Sequence, residues 1–135
     1  MHPMTEMNDP LRCPSCDEAN LIIHYIDVGH GDATLIQYKG KSFLIDAGSD
    51  DIGDTVPAYL RKSGVKTLEF VVASHPDSDH IGEMRDLLRE FPPGRYYDNG
   101  EVNDKPSYEK LMDYLERNRI PRTVGRAGMT ISFDD

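Results

Sequence analysis

The chain has 135 residues, with 15 basic and 24 acidic side chains and a net charge of −9 at neutral pH. This length allows one domain with a substantial core but not two independent cores, and the negative charge opposes long-range attraction to nucleic acid. No apolar run approaches the ~20 residues that span a bilayer, and residues 1–20 lack the basic start and apolar centre of a signal peptide. We therefore expect one cytoplasmic domain, in which any nucleic-acid substrate is held locally.

Residues 1–20 are polar and lack periodic apolar positions, which predicts a flexible N-terminal tail ahead of a domain over residues 21–135. The tail contains both cysteines, Cys13 and Cys16, in a single CxxC pair. A structural zinc ion needs four ligands, so this pair is half a site. It is either a redox pair or half a metal site, or, as we favour, two reduced thiols in a mobile segment.

Three short strands are predicted where the domain begins, at residues 21–28, 33–38 and 42–46. They are rich in β-branched and aromatic residues, and glycine-containing turns at 29–32 and 39–41 separate them. Short turns between successive strands indicate an antiparallel meander.

Helices alternate with strands in the rest of the chain. A helix is predicted at 56–62, capped by Asp54 or Thr55, and the apolar run 68–73 is typical of a strand buried on both faces. A helix at 81–91, a strand at 95–98, a helix at 107–118 and strands at 120–124 and 129–133 follow. This order predicts a sheet with helices packed on it, in the α/β or α+β class.

The segment 75–80, HPDSDH, holds four potential metal ligands directly after the buried strand, namely His75, Asp77, Asp79 and His80. Two imidazoles and two carboxylates this close together are natural ligands of a divalent cation. Loops that follow strand ends are where α/β proteins place ligands, and Pro76 restricts His75 to extended geometry. The segment therefore predicts a metal site and, with it, hydrolysis.

Three motifs in a fixed order carry a family resemblance. The segment 75–82, HPDSDHIG, resembles the metal-binding signature of the metallo-β-lactamase superfamily, and 25–33, YIDVGHGDA, and 43–48, FLIDAG, match it as well. Asp77 in place of the usual second histidine is similar to the ComEC-type branch, which is related to competence DNA uptake. The resemblance runs from about Ile22 to Phe133 and implies an αββα sandwich, of which this chain covers the first half.

The resemblance also implies roles for individual residues. His75 and Asp77 would face a first metal ion, and Asp79 and His80 a second one. Asp46 would lie beside them as an orienting acid, so that Asp46 and Asp79 are the catalytic carboxylates. The implied cofactor is one or two Zn²⁺ or Mn²⁺ ions, and the implied activity is phosphodiesterase-like or nuclease-like hydrolysis by a metal-activated water.

The sequence departs from the family pattern in ways that affect function. Asp77 is a harder ligand than histidine and favours Mn²⁺ or Mg²⁺. His30 stands where the branch tends to have glutamine. Its role is that of an added ligand, a proton donor or a hydrogen-bonding turn residue. The family's second half supplies an Asp and two further His, and no histidine follows His80. We therefore expect part of a dinuclear site, completed by a missing C-terminal half or a second chain; the alternative is an inactive metal-binding or interaction module.

Overall fold

A six-stranded sheet forms the centre of the computed structural model, which describes residues 20–49, 52–77, 81 and 83–132. The strands lie in chain order across the sheet. They are β1 (Leu21–Tyr25), β2 (Thr34–Tyr38), β3 (Lys41–Ile45), β4 (Phe70–Val72), β5 (Tyr96–Asp98) and β6 (Arg122–Val124). Strands β1 to β3 pair antiparallel, and β3 to β6 pair parallel. The predicted meander is thus confirmed.

The turn between β2 and β3 explains the register of the meander. Tyr38 pairs with Lys41, so the hairpin loop consists of Lys39 and Gly40 alone. Both have positive φ, 50° and 78°, as the favoured two-residue hairpin turns require. This tight turn fixes which side chains of β3 face each side of the sheet.

Three helices connect the parallel strands: α1 (Thr55–Lys62), α2 (Met84–Glu90) and α3 (Pro106–Arg117). Such crossovers are right-handed and here all step in the same direction across the sheet, so the helices share one face. The apolar faces of these helices are buried, and they pack with alternate strand residues such as Leu44, Val71 and Tyr96. Within the described ranges, no helix is long and apolar enough to cross a membrane.

The opposite face of the sheet is also apolar. The rings of Phe43 and Phe70 stack with centroids 4.7 Å apart, and Tyr97 meets Phe70 edge-on at 5.6 Å. On β1 the exposed side chains of Leu21, Ile23 and Tyr25 alternate along the strand and so lie on one face of it. A sheet that is apolar on both faces is the middle layer of a layered α/β fold. The predicted mixed α/β class is confirmed, and the described residues contribute one sheet of the expected sandwich.

Two local predictions were wrong. Asp54 precedes α1 but makes no side-chain capping bond, because its carboxylate pairs with Arg61 instead. The strand expected at 129–133 is absent over residues 129–132, where Met129 N–H donates to the Arg126 carbonyl at 3.1 Å in a turn. Gly128, at φ 88°, supports that turn in place of a strand. Phe133 and the CxxC segment lie outside the described residues.

Gly48 allows the chain to turn sharply after β3. Its φ is 76°, its N–H donates to the Asp32 carbonyl at 2.9 Å, and an added Cβ would lie 2.6 Å from Ile52 Cδ1 and 3.2 Å from Val28 Cβ. Gly40 has a similar φ of 78°, but nothing lies within 4 Å of its Cβ position. The two glycines therefore differ in packing but not in backbone strain.

We expect Gly40→Ala to lower the free energy of unfolding by about 1 kcal/mol through backbone strain alone. Gly48→Ala should lower it by about 2 to 3 kcal/mol, because over-packing adds to the same strain. Urea unfolding of both variants measures the difference. Equal losses of unfolding free energy in the two variants would mean that the loop after β3 adjusts to the added methyl group. The loop would then not fix the chain that follows Asp46.

Candidate metal centre

The candidate site lies where β3 and β4 end. These strands are parallel neighbours, so their carboxyl ends meet at one edge of the sheet. The ladder continues one step beyond the last strand pair, because Asp46 N–H donates to the Val72 carbonyl at 2.8 Å. The chain after β4 therefore begins directly beside Asp46. This is the edge at which open α/β sheets bind ligands.

Asp46 is buried, with 3% of its surface exposed, and its φ of 63° is uncommon for a residue other than glycine. Its carboxylate accepts two hydrogen bonds from Ser74. The backbone N–H of Ser74 lies 2.7 Å from Oδ1, and its hydroxyl oxygen lies 2.6 Å from Oδ2. A buried carboxylate needs such charge-assisted partners, so Asp46 holds the start of the 75–80 segment in place.

Ser74 also orients the ring of His75. The Ser74 hydroxyl donates its one proton to Asp46, so its oxygen accepts from His75 Nδ1, which lies 3.1 Å away. Nδ1 then carries the ring proton, and Nε2 keeps its lone pair, which is the form of an imidazole that can act as a metal ligand. The His75 side chain is exposed, as an incoming ligand requires. Ser74 had no distinguishing signal in the sequence, where it was one serine at a strand end.

The two described residues that follow His75 are held through their carbonyl groups. Pro76 is buried, and its carbonyl accepts a 3.4 Å hydrogen bond from the Asn103 side chain ahead of α3. The Asp77 carbonyl accepts from Ile81 N–H at 3.1 Å, and the Asp77 side chain is exposed. His75 and Asp77 thus offer an exposed imidazole and an exposed carboxylate two residues apart, a donor set that suits a divalent cation.

The other predicted ligands, Asp79 and His80, lie outside the described residues. Within the described part of the chain, no three His, Cys, Asp or Glu side chains are grouped closely enough to hold a metal ion. His30 is exposed in the turn between β1 and β2. The described residues therefore bring together Asp46, Ser74 and His75, and the full ligand set remains a prediction.

Two other polar groups of the sheet have structural roles. His24 is buried, with the Tyr59 hydroxyl 2.9 Å from Nδ1 and the Gln37 side-chain carbonyl 2.9 Å from Nε2, which links the sheet to α1. Asp98, buried at the end of β5, accepts a 2.7 Å hydrogen bond from Arg122 Nε and raises the pKa of that guanidinium. Both nitrogens of His24 and this Asp98 oxygen are engaged within the fold.

The family model of the metallo-β-lactamase superfamily matches residues 26–128. The match covers most of the chain, including the two strand ends described above and the whole 75–80 segment. The chain therefore belongs to the metallo-β-lactamase superfamily, as its three motifs predicted.

Similar curated proteins agree with the predicted branch. The chain is 39% identical to Recombination protein 2 of Haemophilus influenzae over 72 residues, which are 50% of this chain and 9% of that protein. It is 23% identical to ComE operon protein 3 of Bacillus subtilis over 131 residues, 84% of this chain and 17% of that protein. It is 34% identical to Ribonuclease Z of Clostridium beijerinckii over 56 residues, 42% of this chain and 17% of that protein. The ComEC-type resemblance is thereby confirmed, and the chain spans less than a fifth of the length of each of these relatives.

Solved structures support the fold. The metallo-β-lactamase SMB-1 bound to 2-mercaptoethanesulfonate superposes with a TM-score of 0.58 at 15% identity, over 82% of this chain and 46% of that one. At this identity the likeness concerns the fold alone. It places the six-stranded sheet and its helices within the metallo-β-lactamase architecture.

We expect the His75 ring of the metal-free protein to be in the Nδ1–H form, because the Ser74 oxygen accepts that proton. Ser74→Ala removes the acceptor and should shift the ring toward the Nε2–H form that predominates in water. Long-range ¹H–¹⁵N NMR correlations of the imidazole distinguish the two forms. Ser63→Ala is the matched control, since the Ser63 hydroxyl is buried without a hydrogen-bond partner among the described residues. An unchanged ring in Ser74→Ala would contradict the proposed orientation.

Proposed function

We propose that this chain forms part of a divalent-metal site that hydrolyses phosphodiester bonds. The observation that carries the proposal is the hydrogen-bonded series Asp46, Ser74 and His75 at the ends of β3 and β4. It presents an oriented imidazole nitrogen at the sheet edge in a chain of the metallo-β-lactamase superfamily.

The proposed ligands follow from the sequence and this geometry. His75 Nε2 and the Asp77 carboxylate would hold one ion, and Asp79 and His80 a second one. The oxygen ligand Asp77 favours Mn²⁺ beside Zn²⁺, and either ion, when bound, lowers the pKa of water for attack on an ester. Asp46 acts through Ser74 and keeps the His75 ring in its metal-binding form. We propose that the remaining ligands come from a further segment or a second chain.

A phosphodiester is the substrate class that the comparisons support best. The relative from Clostridium beijerinckii is named a ribonuclease, an enzyme that cleaves phosphodiester bonds. The relatives from Haemophilus influenzae and Bacillus subtilis are named for recombination and for the ComE operon. A β-lactam substrate has less support, because the β-lactamase structure shares the fold at only 15% identity. A metal-binding module without turnover is the second candidate, because His75 and Asp77 alone are too few ligands for a catalytic centre.

Metal affinity tests the ligand assignment. We expect Ser74→Ala to weaken Mn²⁺ and Zn²⁺ binding about 10- to 100-fold, as loss of an orienting group usually does. His75→Ala and His80→Ala should weaken binding further, because each removes a ligand. Isothermal titration calorimetry measures all three variants. Asp77→Asn can be compared with Asp104→Asn, an exposed aspartate of the loop before α3; equal affinities in this pair would remove Asp77 from the site.

Substrate preference tests the reaction. With Mn²⁺ present, we expect slow turnover of bis(p-nitrophenyl) phosphate, which EDTA and His75→Ala abolish, and no turnover of a chromogenic β-lactam. Turnover should be slow because a dinuclear centre uses about three protein ligands per ion. Faster β-lactam cleavage would overturn the substrate assignment. Metal binding without any ester turnover would favour the inactive module.

A further inference from the structure

A basic groove runs between α2 and α3 on the outer side of the helical layer. It is an open depression of about 300 Å³. Arg85 and Arg89 line it from α2, and Lys110 and Arg117 line it from α3. None of these residues belongs to the metal centre.

Helical spacing explains why these four cations meet. Arg85 and Arg89 are four residues apart on α2, so they lie on the same side of that helix, as do Lys110 and Arg117 on α3. The two helices pack side by side, with their apolar faces buried against the sheet. Their basic sides therefore flank one groove.

The groove has the opposite charge to the chain as a whole. The protein carries −9, whereas the groove gathers four basic side chains against two neighbouring carboxylates. Asp86 lies 3.5 Å from Arg85 and 3.9 Å from Arg89, and Asp113 lies 3.0 Å from Arg117. These pairs are solvent-exposed and hold the cations weakly. Among the described residues, no carboxylate forms a salt bridge with Lys110.

The lining suits a chain of phosphates. Guanidinium groups bind phosphate through paired N–H donors, and lysine adds a point charge. The half-buried ring of Tyr114 and the exposed amide of Asn118 also line the groove. Cations in a groove beside an aromatic ring are the elements that proteins use to bind single strands. Arg85 lies in the first turn of α2, the helix into which the 75–82 segment leads.

We propose that the α2–α3 groove binds the phosphate backbone of a single-stranded nucleic acid. The strand is the substrate of the proposed hydrolase, so its biological meaning rests on that function. Binding itself depends on the groove and not on the metal ions. The net negative charge of the rest of the chain disfavours a polyanion elsewhere.

Fluorescence anisotropy with a labelled oligothymidylate of about 20 nucleotides tests the groove at about 50 mM salt, where phosphate contacts are strong. EDTA is present, so that hydrolysis and metal bridging are excluded. The groove variant is Arg89→Glu with Lys110→Glu. The matched control is Lys62→Glu with Lys66→Glu, two exposed lysines at the end of α1 and just beyond it, and this variant changes the net charge equally. Far-UV circular dichroism verifies that both variants fold.

We expect the groove variant to bind the strand at least about tenfold more weakly. The slope of log affinity against log salt should become about 1.4 less steep, which is about 0.7 for each of the two lost phosphate contacts. The control should bind within about twofold of the unsubstituted protein. Equal losses in both variants would show a response to net charge alone and overturn the proposal, as would unaltered binding by the groove variant. Inorganic phosphate is added as a competitor. If it displaces the labelled strand as effectively, per phosphate group, as unlabelled strand does, the groove is a free-phosphate site instead.

The outcome is separable from the proposed hydrolase. Groove-dependent strand binding without ester turnover would leave this inference standing and remove the catalytic one. Ester turnover with strand binding unaffected by the groove substitutions would do the reverse.

Discussion

The candidate site depends on one buried carboxylate. Asp46 lies at the end of β3 in a left-handed conformation, and both of its oxygens accept hydrogen bonds from Ser74 at the end of β4. Burying a carboxylate is costly unless it is paired, so the first turn after β4 must stay where it satisfies Asp46. The direction of His75, and with it any metal binding, follows from this pairing. Gly48 supports it from the other side, because only glycine fits the following bend beside Val28 without strain.

Patterns of local sequence were sufficient to predict much of the fold. The meander and all three helices follow from residue patterns and glycine turns, and three ordered motifs, one of them the 75–80 segment, predicted the family. The rest depends on contacts between residues that are distant in sequence, or on local turns. Asp54 had the right chemistry for a cap, but Arg61 lies within reach of its carboxylate. Ser74 reaches Asp46 only because β3 and β4 are neighbours in the sheet, and residue types alone do not reveal which strands are neighbours. The groove was equally hidden, since its two halves come from different helices.

The net charge of the chain and the local charge of the α2–α3 groove have opposite signs. A net charge of −9 argues against a nucleic-acid ligand when it is treated as a single number. The same charge is distributed unevenly, so that a small basic groove is a favourable place for a polyanion in the proposal above. The metal site would act in the same way, because divalent cations at acidic ligands reverse the local potential. Composition alone therefore excludes less than it first suggests.

The position of the Asp46–Ser74 pairing also bears on how the chain folds. The strands before it join through short hairpins, whose contacts are local and form quickly. The strands after it pair only once each helical crossover has closed a much longer loop, at a higher entropic cost. Asp46 and Ser74 lie on either side of this boundary, 28 residues apart in sequence. The site can therefore assemble only after the first crossover docks, and its geometry is lost as soon as the sheet opens between β3 and β4.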